Sequence, residues 1–339
     1  MEKLHPEEYC NRCKNNMTLA LSKKSSPILA IVIPVYNEEK VLDQLIFKLL
    51  PVFCDLILKQ KILENSFILF VDDGSQDNTW SIIKNLCEQK NYFKAIKLSR
   101  NYGHQQALLS GLLAAKENAD CVISMDADLQ DDVELLRKFI DGYIEGYEVI
   151  YAIRKERNID TFFKRQSASF FYYFMQKMAV KIKKNHADYR LASKKVLDYL
   201  SEFNEVNIFL RGIFPMIGFS STEIFYNRQK RAAGKTKYPL MKMLSFALDG
   251  ITSFSNTPLR FIAIFGFLIF MLSLLFSGYV FIEKFILHSV VRGWSSLVLS
   301  IYMLSGIQLL SLGIIGEYIG KIYSETKRRP RFIIEEKLM

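Results

Sequence analysis

The chain has few of the residues on which several protein classes depend. Its five cysteines, Cys10, Cys13, Cys54, Cys87 and Cys121, are an odd set without regular spacing, which excludes a disulfide scaffold and suits a reducing compartment. Cys10 and Cys13 make one C-x-x-C near His5, but no second ligand pair follows, so the segment reads as a solvated N-terminal extension rather than a zinc site. His104 and His186 are each too solitary for a metal or nucleophile assignment. No basic, apolar leader ending in small residues opens the chain. Residues 1–26 are polar and mixed in charge, which places the N-terminus in the cytosol. Internal repeats and low-complexity tracts are missing as well.

Positive charge is present in excess. Lys and Arg number 45 against 35 Asp and Glu, a formal charge of +10, and this favours a polyanionic partner: nucleic acid, an anionic membrane face or a phosphorylated small molecule. Uncharged length is also present. Residues 261–282 (FIAIFGFLIFMLSLLFSGYVFI) carry no charge, and residues 294–316 (WSSLVLSIYMLSGIQLLSLGIIG) repeat the pattern with one Gln. Each could cross a hydrocarbon core of about 30 Å as a helix, so a two-helix transmembrane hairpin is expected over 259–319. Arg228, Lys230, Arg231, Lys235, Lys237, Lys242 and Arg260 precede it, and Lys321, Lys327, Arg328, Arg329 and Arg331 follow it, against Lys284 and Arg292 in the connecting loop. The positive-inside rule then puts both long ends in the cytoplasm. Residues 239–257 are amphipathic and suit an interfacial helix. Residues 162–182 fit either a membrane-surface helix or one packed on a sheet. Gly306, Gly313, Gly316 and Gly320 would permit close helix contact, within the hairpin or in a homo-oligomer.

Before the expected hairpin the chain alternates between two periods up to about residue 150, after which the pattern loosens. ILAIVIPVY (28–36), FILFVDD (67–73) and CVISMDAD (121–128) are short apolar runs that end in polar residues, and helix-period segments near 39–60, 78–90 and 104–118 separate them. Such alternation predicts an α/β fold with a mainly parallel sheet covered on both faces. In such sheets ligands sit beyond the carboxyl ends of the strands. Those ends carry Asn37-Glu38, Asp72-Asp73 and Asp126-Asp128, so three polar strand ends are expected around one crevice. Asp126 and Asp128 would point to opposite faces of an extended strand, and only a turn beginning there lets both approach one ion. Two carboxylates completed by a substrate's phosphate oxygens are a usual arrangement for Mg2+ or Mn2+.

Four stretches in order, IPVYNEE (33–39), VDDGSQDNT (71–79), RNYGHQQALLSG (100–111) and MDADLQDD (125–132), resemble the family 2 glycosyltransferases of GT-A fold. HADYRLASKKV (186–196), FLRGIFPMIGF (209–219), RAAGKTKYPLMKML (231–244) and ALDGITSFSNTPLR (247–260) extend the resemblance to polyprenyl-phosphate glycosyltransferases, such as bactoprenol glucosyltransferases and dolichol-phosphate mannose synthases. The resemblance covers about residues 28–330 and implies a division into an N-terminal extension (1–27), a cytosolic GT-A domain (28–230), a juxtamembrane interfacial region (231–258), the hairpin (259–319) and a basic cytosolic tail (320–339).

The resemblance also implies residue roles. Pro34, Tyr36, Glu38, Val71 and Asp73 would surround the donor nucleoside, with Asp126 and Ala127 completing the nucleotide site. DDGSQD reads equally as a turn and helix cap. Asp126, Asp128 and Gln130 would hold Mg2+ or Mn2+ against the diphosphate of the departing nucleotide. Arg154, Arg165, Arg231 and Lys237 would face donor or acceptor phosphates, although a basic patch can also serve anionic lipid. Asp188 and Arg190, in the ADYR stretch, would be catalytic, with Asp188 either a general base or a group that orients Arg190 and the acceptor phosphate. Two departures stand out: Asp132 and Val133 where relatives commonly have Pro, and Tyr189 where Phe is usual.

The resemblance implies a multi-pass protein of the bacterial inner membrane, with its catalytic domain and both termini cytoplasmic. It would transfer a hexose from a UDP-sugar to undecaprenyl phosphate, inverting the anomeric centre, with no nucleic-acid partner. A processive polysaccharide synthase is the rival enzyme, but its Q-x-x-R-W context is absent around both Trp80 and Trp294. A non-catalytic scaffold binding nucleotide sugar or anionic lipid leaves the aspartates without a purpose.

Overall fold

The computed structural model describes residues 25–154, 186–205, 208–226 and 293–339, with scattered positions between 259 and 275. The chain divides into two compact units, one of residues 1–161, 183–236 and 330–339, the other of residues 162–182 and 237–329.

The first unit is built on an eight-stranded sheet, β1 (Leu29–Val35), β2 (Phe67–Asp72), β3 (Phe93–Leu98), β4 (Cys121–Ser124), β5 (Val149–Arg154), β6 (His186–Ser193), β7 (Ser221–Tyr226) and β8 (Ile334–Leu338), in the order β7-β5-β6-β4-β1-β2-β3-β8. β1 lies parallel to both β2 and β4, and β2 lies parallel to β3. This centre matches the parallel sheet expected from the sequence. All seven residues of β1 and all six of β2 are buried, as continuous apolar runs covered on both faces should be. The flanks are mixed. β6 is antiparallel to β4 and β5, and β8 is antiparallel to β3, so the stretch read as a basic tail contributes an edge strand.

Helices α1 (Leu42–Leu58), α2 (Thr79–Gln89) and α3 (His104–Ala115) form the crossovers, followed by α4 (Leu135–Ile144), α5 (Lys194–Leu200) and α6 (Leu210–Ile217). α3 lies close against the sheet because of Gly111, where an added Cβ would sit 2.4 Å from Val32 Cγ1 and 2.6 Å from Val71 Cγ2. That contact fixes the angle at which α3 presents its first residues to the strand ends.

In the second unit, helix α7 spans Trp294–Thr326. Among the described residues, no helix is long and apolar enough to cross a membrane. This finding overturns the expected transmembrane hairpin and the multi-pass, inner-membrane placement built on it. The uncharged length at 294–316 is one section of a longer, mixed helix. Ser300, Ser305, Gly306, Gln308 and Ser311 interrupt its apolar residues, and the helix continues through Glu317, Lys321 and Glu325. Most of residues 261–282, and both expected amphipathic helices at 162–182 and 239–257, lie outside the described residues.

Candidate active site

The carboxyl ends of β1 and β2 are knitted together by their loops. Asn37, at φ 54°, takes a left-handed conformation, and its side chain accepts from Gln76 N at 2.8 Å while its amide donates to Ser75 Oγ at 3.0 Å. Glu38 N donates to Thr79 Oγ1 at 2.9 Å. Of the residues expected around a nucleoside, Pro34 and Val71 are buried register partners inside the sheet. Tyr36 is 42 % exposed. It borders a cavity of about 280 Å³ with Gly74, Lys97 and Arg100. Asp73 is buried, and its two carboxylate oxygens accept from Tyr102 N at 2.7 Å and Gly103 N at 2.9 Å. Burial raises its carboxyl above the usual range, with the two amide hydrogen bonds opposing. Asp73 therefore ties the end of β2 to the loop that launches α3.

The D-x-D stretch is a turn rather than a strand end. β4 stops at Ser124, and Leu129, at φ 59°, adopts the left-handed conformation that a branched side chain rarely takes. Asp128 Oδ1 accepts from Gln130 N at 3.1 Å, closing the turn locally. Beneath it, Asp131 accepts from the Tyr226 hydroxyl at 2.7 Å, and the Tyr189 hydroxyl donates to Asp132 O at 2.9 Å. The Tyr-for-Phe departure thus supplies a hydroxyl that anchors the turn. The Asp132 carboxylate accepts from Glu134 N at 3.1 Å, at the start of α4. Asp126 and Asp128 are half-exposed, whereas Ala127, Gln130 and Asp131 are buried. Among the described residues no group of three or more His, Cys, Asp or Glu is gathered as a metal centre. Two half-exposed carboxylates on one turn do match the hard-oxygen donor set that Mg2+ or Mn2+ takes when phosphate oxygens complete its shell.

Next to this turn lies a buried ion cluster. Asp188 on β6 is 4 % exposed at its side chain and Arg190 2 %, and Arg190 Nη2 donates to Asp188 Oδ1 at 2.5 Å. Arg190 also donates from Nη1 to Leu210 O at 3.3 Å and stacks on the Phe214 ring at 4.5 Å. Its Nε has no hydrogen-bond acceptor among the described residues. From α6, half-exposed Arg211 adds a fork, with Nη2 2.8 Å from Asp188 Oδ2 and Nε 3.1 Å from Oδ1. From α3, Gln105 Nε2 donates to Asp188 Oδ2 at 3.3 Å, and its Oε1 accepts from Leu210 N at 3.2 Å. His104 Nε2 stands 3.5 Å from Asp126 Oδ1 and 3.7 Å from Asp188 Oδ2.

Burial would raise the Asp188 carboxyl, but the charge of Arg211, the contact from His104 and the charge of Arg190 outweigh it and hold it well below the usual carboxylate range. For His104, 43 % exposed at its side chain, partial desolvation in the crevice pulls the imidazole down. The Asp188 contact and the charges of Asp126 and Asp188 more than compensate, so it sits above its ordinary value.

Residues 30–200 match the model of Glycosyl transferase family 2. The chain belongs to this family and is a glycosyltransferase. It is 51 % identical over 313 residues to the uncharacterized glycosyltransferase YkoT of Bacillus subtilis, covering 92 % of this chain and 93 % of that one. It is 36 % identical over 312 residues to a bactoprenol glucosyl transferase of Shigella phage SfX, covering 91 % of this chain and 99 % of the phage protein. Among solved structures, glucosyl-3-phosphoglycerate synthase from Mycobacterium tuberculosis aligns over 66 % of this chain and 77 % of its own at 15 % identity, with a TM-score of 0.41.

In this glycosyltransferase Asp188 and Arg190 share one ion cluster with His104, Gln105 and Arg211, and His104 reaches Asp126 on the D-x-D turn. The signals of His104, Gln105 and Arg211 were legible as the GHQQ and FLRG portions of the quoted stretches. A histidine and an arginine without periodic partners could be joined to Asp188 only once the strand order was known. Arg154 ends β5, while Arg165, Arg231 and Lys237 lie outside the described residues.

Proposed function

We propose that this glycosyltransferase moves a hexose, glucose or a close relative, from a UDP-sugar to polyprenyl phosphate, inverting the anomeric centre. The relative from phage SfX, 36 % identical across nearly its whole length and named bactoprenol glucosyl transferase, supports the acceptor. The observation that carries the mechanism is Asp188 held between Arg190 and Arg211 beside the D-x-D turn.

A general base acting at neutral pH works best with a pKa near that pH. Asp188 is held well below the carboxylate range and is a poor proton acceptor. The acceptor needs none, because a phosphate monoester has a second pKa of about 6 and is largely ionised at pH 7. This favours the orienting role among the two considered from the sequence. Asp188 engages the Nε and Nη2 edge of Arg211 and so fixes the guanidinium plane, and the Nη1–Nη2 edge of that plane would meet phosphate oxygens. Arg190, fully buried, acts as the counter-charge that holds Asp188 in place, and so positions rather than contacts the acceptor. Positioning of this kind can lower a barrier by several kcal/mol, roughly 7 or more in the best cases. An acceptor phosphate oxygen then forms the bond to the anomeric carbon as the bond to the UDP oxygen breaks. Asp126 and Asp128 would hold Mg2+ or Mn2+, which when bound offsets charge on the departing diphosphate.

The test is transfer itself. Purified full-length protein is incubated with polyprenyl phosphate, Mg2+ or Mn2+, and a panel of radiolabelled nucleotide sugars. Lipid-linked label of inverted configuration from UDP-glucose or a related UDP-hexose is expected. Absence of lipid-linked label with every donor, or a product of retained configuration, would refute the proposal.

A further inference from the structure

The crevice at the carboxyl ends of β1, β2 and β3 has one wall outside the family-matched residues 30–200. Glu335, on β8, lines the 280 Å³ cavity together with Tyr36, Gly74, Lys97, Arg100 and Asn101. The strand that carries it is well fixed. β8 pairs with β3 from Ala95↔Leu338 to Leu98↔Ile334, and Ser99 N donates to Ile333 O at 3.0 Å. Arg331 Nη1 donates to Phe203 O at 2.6 Å, and Lys84 pairs with Glu336 at 3.2 Å. Glu335 is itself oriented by Lys97, whose Nζ stands 3.1 Å from Oε2 and 3.2 Å from Oε1.

We propose that Glu335 is a specificity residue of the donor site, accepting a hydrogen bond from an N–H or hydroxyl of the nucleoside; this rests on the UDP-sugar reading above. Three observations converge on it. The sheet order places the cavity on the far side of β1 from β4, its β2 and β3 lining two to three strand spacings, or roughly 10–14 Å, from the D-x-D turn and Glu335 on β8 one spacing further. A nucleotide with its diphosphate at the turn lays its nucleoside toward β3. The chemistry of the side chain agrees: a carboxylate accepts hydrogen bonds only, and one already neutralised by Lys97 suits a nucleoside carrying N–H and O–H donors. The cavity also offers the exposed ring of Tyr36 as an apolar face for a base.

Calorimetric titration of the full chain with UDP in the presence of Mn2+ tests the assignment. Glu335→Ala should weaken UDP binding about tenfold, the effect of losing one hydrogen bond to a charged group. Glu336→Ala, on the same strand and paired with Lys84 instead, should bind as the wild type does. The source of the donor is read from two analogues. Wild type should discriminate against either N3-methyl-UDP or 2′-deoxy-UDP, and Glu335→Ala should lose that discrimination. Wild type that fails to bind UDP removes the donor reading, and the proposal with it. Wild type that binds UDP no better than Glu335→Ala overturns the proposal alone, as does equal weakening by Glu335→Ala and Glu336→Ala, which would trace the effect to strand packing.

Discussion

Replacing Asp188 by Asn keeps the shape of the side chain and removes the one negative charge that two arginines share. Arg190 would be left 2 % exposed without its counter-ion. Removing one partner of a buried pair costs about 3–5 kcal/mol. The half-exposed Arg211 adds little, about 1 kcal/mol at most once solvent screening is allowed for. For a unit of this size each kcal/mol shifts the melting midpoint by about 2–4 °C, so Asp188→Asn should melt roughly 10 °C below wild type. The gap has a pH signature. A carboxylate whose folded-state pKa is depressed contributes fully above its unfolded value of 3.8, and the contribution is lost as pH falls through the folded value. Wild type should therefore hold its advantage from neutral pH to about pH 5 and lose it progressively below about pH 4. Calorimetric or circular-dichroism melts across that range read both effects. A double variant, Asp188→Leu with Arg190→Met, removes both charges and should recover much of the stability while remaining unable to transfer sugar. An Asp188→Asn protein melting within about 2 °C of wild type, or a gap that widens on acidification, would refute the buried-pair argument.

Three further outcomes follow from the site. Asp128→Ala should abolish metal-stimulated transfer and lower the melting midpoint by only about 2–4 °C, because Asp128 is half-exposed and its bond to Gln130 N closes the turn locally; full activity would remove it from the site. Gly74→Ala should destabilise by more than about 1 kcal/mol in urea titration, because φ is 71° and the new Cβ would lie 2.5 Å from the Arg100 carbonyl carbon. A neutral substitution there would contradict the described loop geometry. Asp73→Asn keeps one acceptor oxygen and sets its NH2 donor against one of the two backbone amides, of Tyr102 or Gly103, at a cost of about 1–3 kcal/mol. Hydrogen exchange should show one of the two amides losing protection, and unchanged exchange at both would refute the clamp.

The centre of the sheet was readable because its signals are local. ILAIVIPVY and FILFVDD are continuous apolar runs that end in polar residues, and they became β1 and β2 within a residue or two. CVISMDAD was read four residues too long, because the acidic run leaves the strand at Met125 and turns through a left-handed Leu129. Nothing in HADYR announces a strand, since half of it is polar; β6 forms because it is sandwiched between β4 and β5. The partnership of Asp188 with Arg211 and His104 depends on that same insertion. The hairpin was inferred from two long uncharged stretches joined by a short loop, a criterion that gives no weight to the polar and charged residues with which α7 continues, Glu317, Lys321 and Glu325.

One consequence concerns the order in which the molecule is made. β3 is among the earlier elements to leave the ribosome, yet its outer neighbour, β8 (Ile334–Leu338), follows every other described element. Until β8 emerges, β3 therefore shows an open hydrogen-bonding edge, the kind of surface that recruits foreign strands. Nascent chains stalled or cleaved before Ile334 should be the aggregation-prone species.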